Sequence, residues 1–159
     1  MKNEIEEYRE LKKFASCNKM FNVALKGALS EIKHKKYLQN KGFLIEKIEN
    51  SDNNGTPDFM INDKTMEHKR ASINCYADGS FRVEVQKSRK SGNCKSNRLY
   101  NDDFCNIVSI DVSDHTKKPN DYRYVQTQHL EKDKRFPNKI KAIQKEDHFW
   151  KKNIEEVLK

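Results

Sequence analysis

Hydrophobic residues in this chain come in short bursts between long polar stretches, and the spacing within each burst assigns an element. Ile5, Tyr8, Leu11 and Phe14 stand three apart, which places them on one face of a helix over about 4–14. A longer helix over about 21–40 carries Val23, Ala24, Ala28, Leu29, Ile32, Lys36 and Leu38 around Gly27, and Asn40-Lys41-Gly42 stops it. Residues 43–48 read as a strand, and the polar cluster 51–55 reads as a loop. Two short arms then flank the turn Asn62-Asp63-Lys64, the first carrying Phe59-Met60-Ile61 and the second leading to Glu67-His68-Lys69. Ser80 to Gln86 alternates, with Phe81, Val83 and Val85 on one side and Arg82, Glu84 and Gln86 on the other. Phe104 to Val112 is the most apolar stretch and predicts a buried central strand. Tyr122 to Thr127 adds another strand, and Asp147 to Leu158 predicts a closing helix with Phe149, Trp150, Ile154 and Val157 inward. The order predicts one α/β domain over 1–159, without internal repeat or dividing linker.

Composition changes this picture in one respect. Hydrophobic and charged residues each make up 35% of the chain, so it is polar overall, yet the recurring apolar bursts exclude a disordered chain. The formal net charge is +8 and the isoelectric point about 9.2, which favours a polyanionic partner, nucleic acid first. Met1-Lys-Asn-Glu4 is charged and no apolar run reaches membrane-spanning length, so a cytoplasmic protein without a membrane partner is expected. Cys17, Cys75, Cys94 and Cys105 show no CxxC pairing, which argues against structural zinc and for reduced thiols; Cys94 and Cys105 with His115 and His129 are the outside alternative. Cys105, in an apolar strand, is expected to be a buried, inert thiol.

The candidate chemistry lies in the hairpin. Strand alternation puts Asp58 and Met60 on one side of the first arm and Glu67 and Lys69 on one side of the second, so two carboxylates and an ammonium can converge. Asp58 and Glu67 offer the oxygen ligands that Mg2+ prefers, with Mn2+ as an alternative, and Lys69 can orient a water beside the cation. Such a set suits metal-assisted hydrolysis of a phosphodiester. His68 points the other way and is assigned to packing. Gln86 can share the active-site face or cap a solvated hairpin end. Lys87, Arg89, Lys90, Lys95 and Arg98 form a cationic segment suited to phosphate contact.

Pro57, Asp58, Glu67 and Lys69, preceded by Gly27-Ala-Leu-Ser-Glu31 and Lys41-Gly-Phe43, resemble the motif of the PD-(D/E)xK nuclease superfamily. The resemblance covers about residues 21–112. It implies a restriction-endonuclease-like fold, a mixed central β-sheet flanked by helices. It also implies that Asp58, Glu67 and the main-chain carbonyl of His68 bind Mg2+, that Lys69 positions the attacking water, and that Glu31 binds the metal or, through water, a second one. The implied function is a Mg2+-dependent DNA endonuclease of restriction type, working as a homodimer because one active site cuts one strand. A Holliday-junction resolvase or other structure-selective nuclease, a toxin nuclease, and a nucleic-acid-binding protein without catalysis are the alternatives.

Overall fold

The computed structural model describes residues 2–49, 55–87 and 95–159. Two helices, α1 (Lys2–Cys17) and α2 (Lys19–Asn40), open the chain. Asn18 separates them: its side-chain oxygen accepts the Phe21 amide at 3.0 Å and starts α2 as an N-cap. The strands are β1 (Ile45–Lys47), β2 (Phe59–Ile61), β3 (Lys64–Arg70), β4 (Arg82–Glu84), β5 (Ile107–Asp111), β6 (Tyr122–Gln126) and β7 (Ile143–Lys145), with a one-turn helix, α3 (Ser113–Thr116), after β5.

Five strands form one mixed sheet in the order β1-β2-β3-β5-β6. The first three are an antiparallel meander, β5 runs parallel to β3, and β6 returns antiparallel to β5. A parallel step requires a long crossover, which residues 71–106 supply. Inside that crossover β4 pairs with β7 as a separate two-stranded ribbon. The predicted strand over 80–86 therefore exists in shortened form and stands outside the main sheet.

Alternation along the strands divides the interior into two layers. Phe59, Ile61, Met66, Ile107, Tyr122 and Tyr124 face α2 and pack with Leu38, Ile45, Ile154 and Val157. Val108, Ile110, Val112 and Val125 face the other way and pack with Val83, Val85, Tyr100, Ile140 and Trp150. Helix α2 thus covers one face of the sheet, and among the described residues the β4–β7 ribbon and its loops cover the other.

The seam of α2 also differs from the expected apolar stripe. Its buried residues are Ser30, His34 and Leu38, each four apart, while Val23 and Ile32 are exposed. The sheet face opposite explains the change, since it presents polar groups that need partners. Ser30 Oγ donates to Asp111 Oδ2 at 2.7 Å and lies 2.9 Å from His68 Nε2, and His34 Nε2 lies 3.0 Å from the Tyr124 hydroxyl.

The predicted closing helix is absent. Residues 147–158 hold only the 3-10 turn Ile154–Glu156, and Lys151 exchanges two backbone hydrogen bonds with Tyr124 at 2.7 and 2.8 Å. Trp150 packs in the layer with Val125 and Leu130, whereas Ile154 and Val157 pack in the α2 layer. A helix would hold these residues on one face. The segment instead wraps the edge of β6, anchors in both layers and blunts that edge. Among the described residues no helix is long and apolar enough to cross a membrane.

Leu38, with no exposed surface, joins α2 to the sheet, and Leu38→Ala should cost about 2–5 kcal/mol in urea unfolding. Met20, 85% exposed on the same helix, should tolerate alanine within about 0.5 kcal/mol.

Candidate active site

The hairpin of β2 and β3 positions the site. Phe59 pairs with Met66 and Ile61 with Lys64, leaving Asn62 and Asp63 as a two-residue turn with Asn62 in the left-handed region at φ 53°. Continuing the antiparallel pairing one step beyond Phe59 sets Asp58 across from Glu67. Both then stand on the face away from α2, since Phe59 and Met66 point toward it. Lys69, two residues on from Glu67, shares that face.

Glu67 is the centre of the arrangement. Its side chain is 4% exposed, and its Oε1 accepts from Lys69 Nζ at 2.5 Å and from the Tyr100 hydroxyl at 2.8 Å. Lys69 Nζ also reaches the Tyr100 hydroxyl at 3.3 Å. The other carboxylate oxygen, Oε2, is buried and has no hydrogen-bond partner. Burial raises the Glu67 pKa; Lys69 opposes that shift and the field of Asp58 adds to it. Lys69 is held protonated: its own burial works against the charge, but the Glu67 carboxylate more than offsets it. Tyr100, stacked on Phe104 with centroids 3.9 Å apart, is kept a neutral donor by burial and by the neighbouring Glu67 charge.

Asp58 has a different environment. Its Oδ2 accepts the His68 amide at 2.9 Å, which ties the start of β2 to β3, and its Oδ1 lies 3.6 Å from Lys47 Nζ. Lys47 Nζ also donates to Glu31 Oε2 at 2.6 Å, so this ammonium bridges Glu31 of α2 and Asp58. Burial pulls the Lys47 pKa down, but the hydrogen bond to Glu31 and the Asp58 charge outweigh it and raise the value. Glu31 is thus tied to Lys47, which stands between it and Asp58.

The approach to Asp58 carries further contacts. Gly55 sits at φ +82°, and a Cβ there would meet Lys87 Cε at 3.2 Å and the Tyr100 ring at 3.7 Å, so this glycine lets the loop pass close to both. Lys87 and Arg98 adjoin: the Lys87 amide donates to the Arg98 carbonyl at 2.8 Å, and Arg98 Nε to the Lys87 carbonyl at 3.2 Å. Arg89 and Lys90 lie outside the described residues, as does the Lys95 side chain, although the Lys95 backbone belongs to the 3-10 turn Lys95–Arg98. Gln86 turns its amide to Glu84 at 3.3 Å, and its backbone bridges to Leu99 beside Tyr100.

His68 packs in the interior as its alternation predicts. Its ring stacks on His34 at 4.3 Å between centroids and contacts Ser30 and Ser109. Burial and then the charge of Lys69 lower its pKa to about 3, so the ring is neutral. Cys105 is buried as expected, and burial pushes its thiol up to about 12. The described members of the alternative zinc set do not gather: Cys105 adjoins Thr127, His115 contacts Cys75 and His129 stacks on Phe149, while Cys94 lies outside the described residues.

Two contributors escaped sequence reasoning, Tyr100 and Lys47. Tyr100 is one tyrosine among scattered aromatics, and Lys47 one lysine among many. The pattern that marks Lys47 is the register of β1, which sets it beside Phe59, one residue from Asp58.

Among the described residues no three His, Cys, Asp or Glu side chains form a ready-made metal cage. Mg2+ needs none, being held by one or two carboxylates with water and phosphate oxygens. The hard oxygen donors of Asp58 and Glu67 and the unpartnered Oε2 fit that requirement. No family model, no curated protein and no solved structure matches the chain, so the site rests on its own geometry.

Lys69→Ala leaves the Glu67 charge buried without its counter-ion, which should cost about 3–5 kcal/mol at neutral pH. The substitution raises the folded-state pKa of Glu67 further above its unfolded value. The folded chain then holds an extra proton in that window, and stability falls as pH rises through it. In urea unfolding the deficit of Lys69→Ala against the unsubstituted chain should shrink from about pH 7.5 to about pH 5. An unchanged deficit would contradict the charge coupling.

Proposed function

We propose that this protein is a Mg2+-dependent endonuclease that hydrolyses phosphodiester bonds of DNA, built along the lines of the restriction endonucleases its Pro-Asp and Glu-x-Lys motifs resemble. The observation that carries the reading is the buried, unpartnered Oε2 of Glu67, on the face that it shares with Asp58 and Lys69. Leaving such an oxygen unsatisfied costs about 1–3 kcal/mol or more, which a cation would offset.

Asp58, Glu67 and the main-chain carbonyl of His68 would hold Mg2+ or Mn2+. Bound there, the ion would supply Lewis-acid neutralisation of charge on the phosphate and lower the pKa of a coordinated water. Lys69, kept cationic by Glu67, donates from Nζ to the attacking water and to the phosphate. Tyr100 fixes the Lys69 ammonium and the Glu67 carboxylate relative to one another. Lys47 balances Glu31 and Asp58, which moderates repulsion between the acidic residues and the DNA backbone. Lys87 and Arg98 contact flanking phosphates, and Arg89, Lys90 and Lys95 add charge along the same segment. A second copy of the chain cuts the complementary strand.

Non-catalytic nucleic-acid binding is the second reading. It is favoured by the fact that Lys69 and Lys47 already neutralise Glu67 and Asp58.

Plasmid nicking separates the two. Under the nuclease reading the chain nicks supercoiled DNA with Mg2+ or Mn2+, and Asp58→Asn and Glu67→Gln each lower the rate at least about 100-fold while DNA binding with Ca2+ persists. Absence of nicking on plasmid, linear duplex and four-way junction, with DNA binding intact, supports the second reading. Under either reading Lys87→Gln should reduce the log-log salt slope of duplex binding by about 0.9.

A further inference from the structure

Cys75 and His115 form a pair that the phosphodiester reading does not use. Cys75 is exposed in the connection between β3 and β4, and its Sγ lies 3.4 Å from His115 Nδ1 of α3. The other ring nitrogen, Nε2, lies 2.7 Å from the main-chain oxygen of Ser72. A carbonyl oxygen can only accept, so Nε2 carries a proton, and the tautomer this selects has Nδ1 as the acceptor nitrogen. In that tautomer the thiol is the donor, with its proton directed at a base. Phe81 packs against the same ring, 5.4 Å between centroids, and helps to fix its orientation.

The other described cysteines lack this arrangement. Cys17 is exposed beside the Ser16 hydroxyl, and Cys105 is buried with its thiol donating to the Ile107 carbonyl. His115 is also a wall of an open cavity of about 420 Å³, lined in addition by Arg70, Ala71, Ile73, Asp114 and Lys117. Arg70 pairs with Asp114, and Lys117 Nζ donates to the Asp114 carbonyl oxygen at 2.6 Å, so the lining keeps a net positive charge. Ile73, 93% exposed, gives the cavity an apolar rim.

We propose that Cys75, with His115 as its base, is a nucleophilic thiol that undergoes exchange with small anionic disulfides, drawn by the positive lining of the cavity that His115 walls. His115 Nδ1 takes the thiol proton, and the Cys75 sulfur attacks one sulfur of the incoming disulfide. A new sulfur–sulfur bond forms to Cys75 as the old one breaks, and the leaving thiolate collects the proton. Cys75 is oxidised to a mixed disulfide while half of the reagent is reduced to thiol. No other oxidant is required.

The test uses the full chain and 5,5′-dithiobis(2-nitrobenzoate), an anionic aromatic disulfide, with modified positions mapped by mass spectrometry of quenched samples. At neutral pH Cys75 should react at least about tenfold faster than Cys17, and denaturing the chain in urea should abolish the difference. His115→Gln should slow Cys75 about tenfold and leave Cys17 unchanged. Cystamine, a cationic disulfide, should show a smaller preference for Cys75, and Lys117→Gln should narrow the gap between the two reagents. Equal rates at Cys75 and Cys17 in the folded chain would overturn the proposal without recourse to a variant. A folded His115→Gln protein that keeps the full Cys75 rate would overturn the role of the imidazole, and equal preference for both reagents would overturn the anionic specificity.

Discussion

The pairing of Phe59 with Met66 fixes nearly everything else in the site. Both side chains are buried against α2, so the register between β2 and β3 cannot slip by one residue without driving Glu67 into the layer of Phe59 and Tyr124 and turning His68 out. The same pairing that fills the core thereby sets Asp58 opposite Glu67 and Lys69 beside them. Asn62 in the left-handed region closes the hairpin at the length this register requires.

Each face of β3 meets its polar groups in its own way. Toward α2, His68 is satisfied by Ser30 and Ser109 and stacked on His34. Burial holds its ring neutral, so this side stabilises without charge. On the opposite face Glu67 and Lys69 form an ion pair, tied to one another and to Tyr100. A buried ion pair contributes little to stability once its desolvation is counted, so packing alone gives no reason for it. A site that needs a fixed ammonium and a carboxylate with one oxygen uncommitted does give a reason. Lys47 repeats the theme at the edge of the sheet, where it joins Glu31 to Asp58.

Much of this was legible in the sequence because it depended on local periodicity. The two N-terminal helices, the hairpin, the central strand at Ile107–Asp111 and the common face of Asp58, Glu67 and Lys69 follow from spacings of two or three to four residues. Contacts between distant segments were not legible. Ser30 and His34 look like surface residues of α2 until Asp111, His68 and Tyr124 appear across from them. Trp150, Ile154 and Val157 have helical spacing, yet they are divided between two layers because the segment rounds the edge of β6. Tyr100 reaches Glu67 only through the crossover from β3 to β5, and no pattern near Tyr100 announces it.

Diffraction from crystals of the protein grown with Mn2+, recorded at the manganese absorption edge, tests most directly whether Asp58 and Glu67 share a cation. An anomalous peak coordinated by Asp58 and by Oε2 of Glu67, lost in Glu67→Gln, is the expected result. Mn2+ bound only elsewhere, with the Glu67–Lys69 and Asp58–Lys47 pairs unchanged at saturating metal, would contradict it.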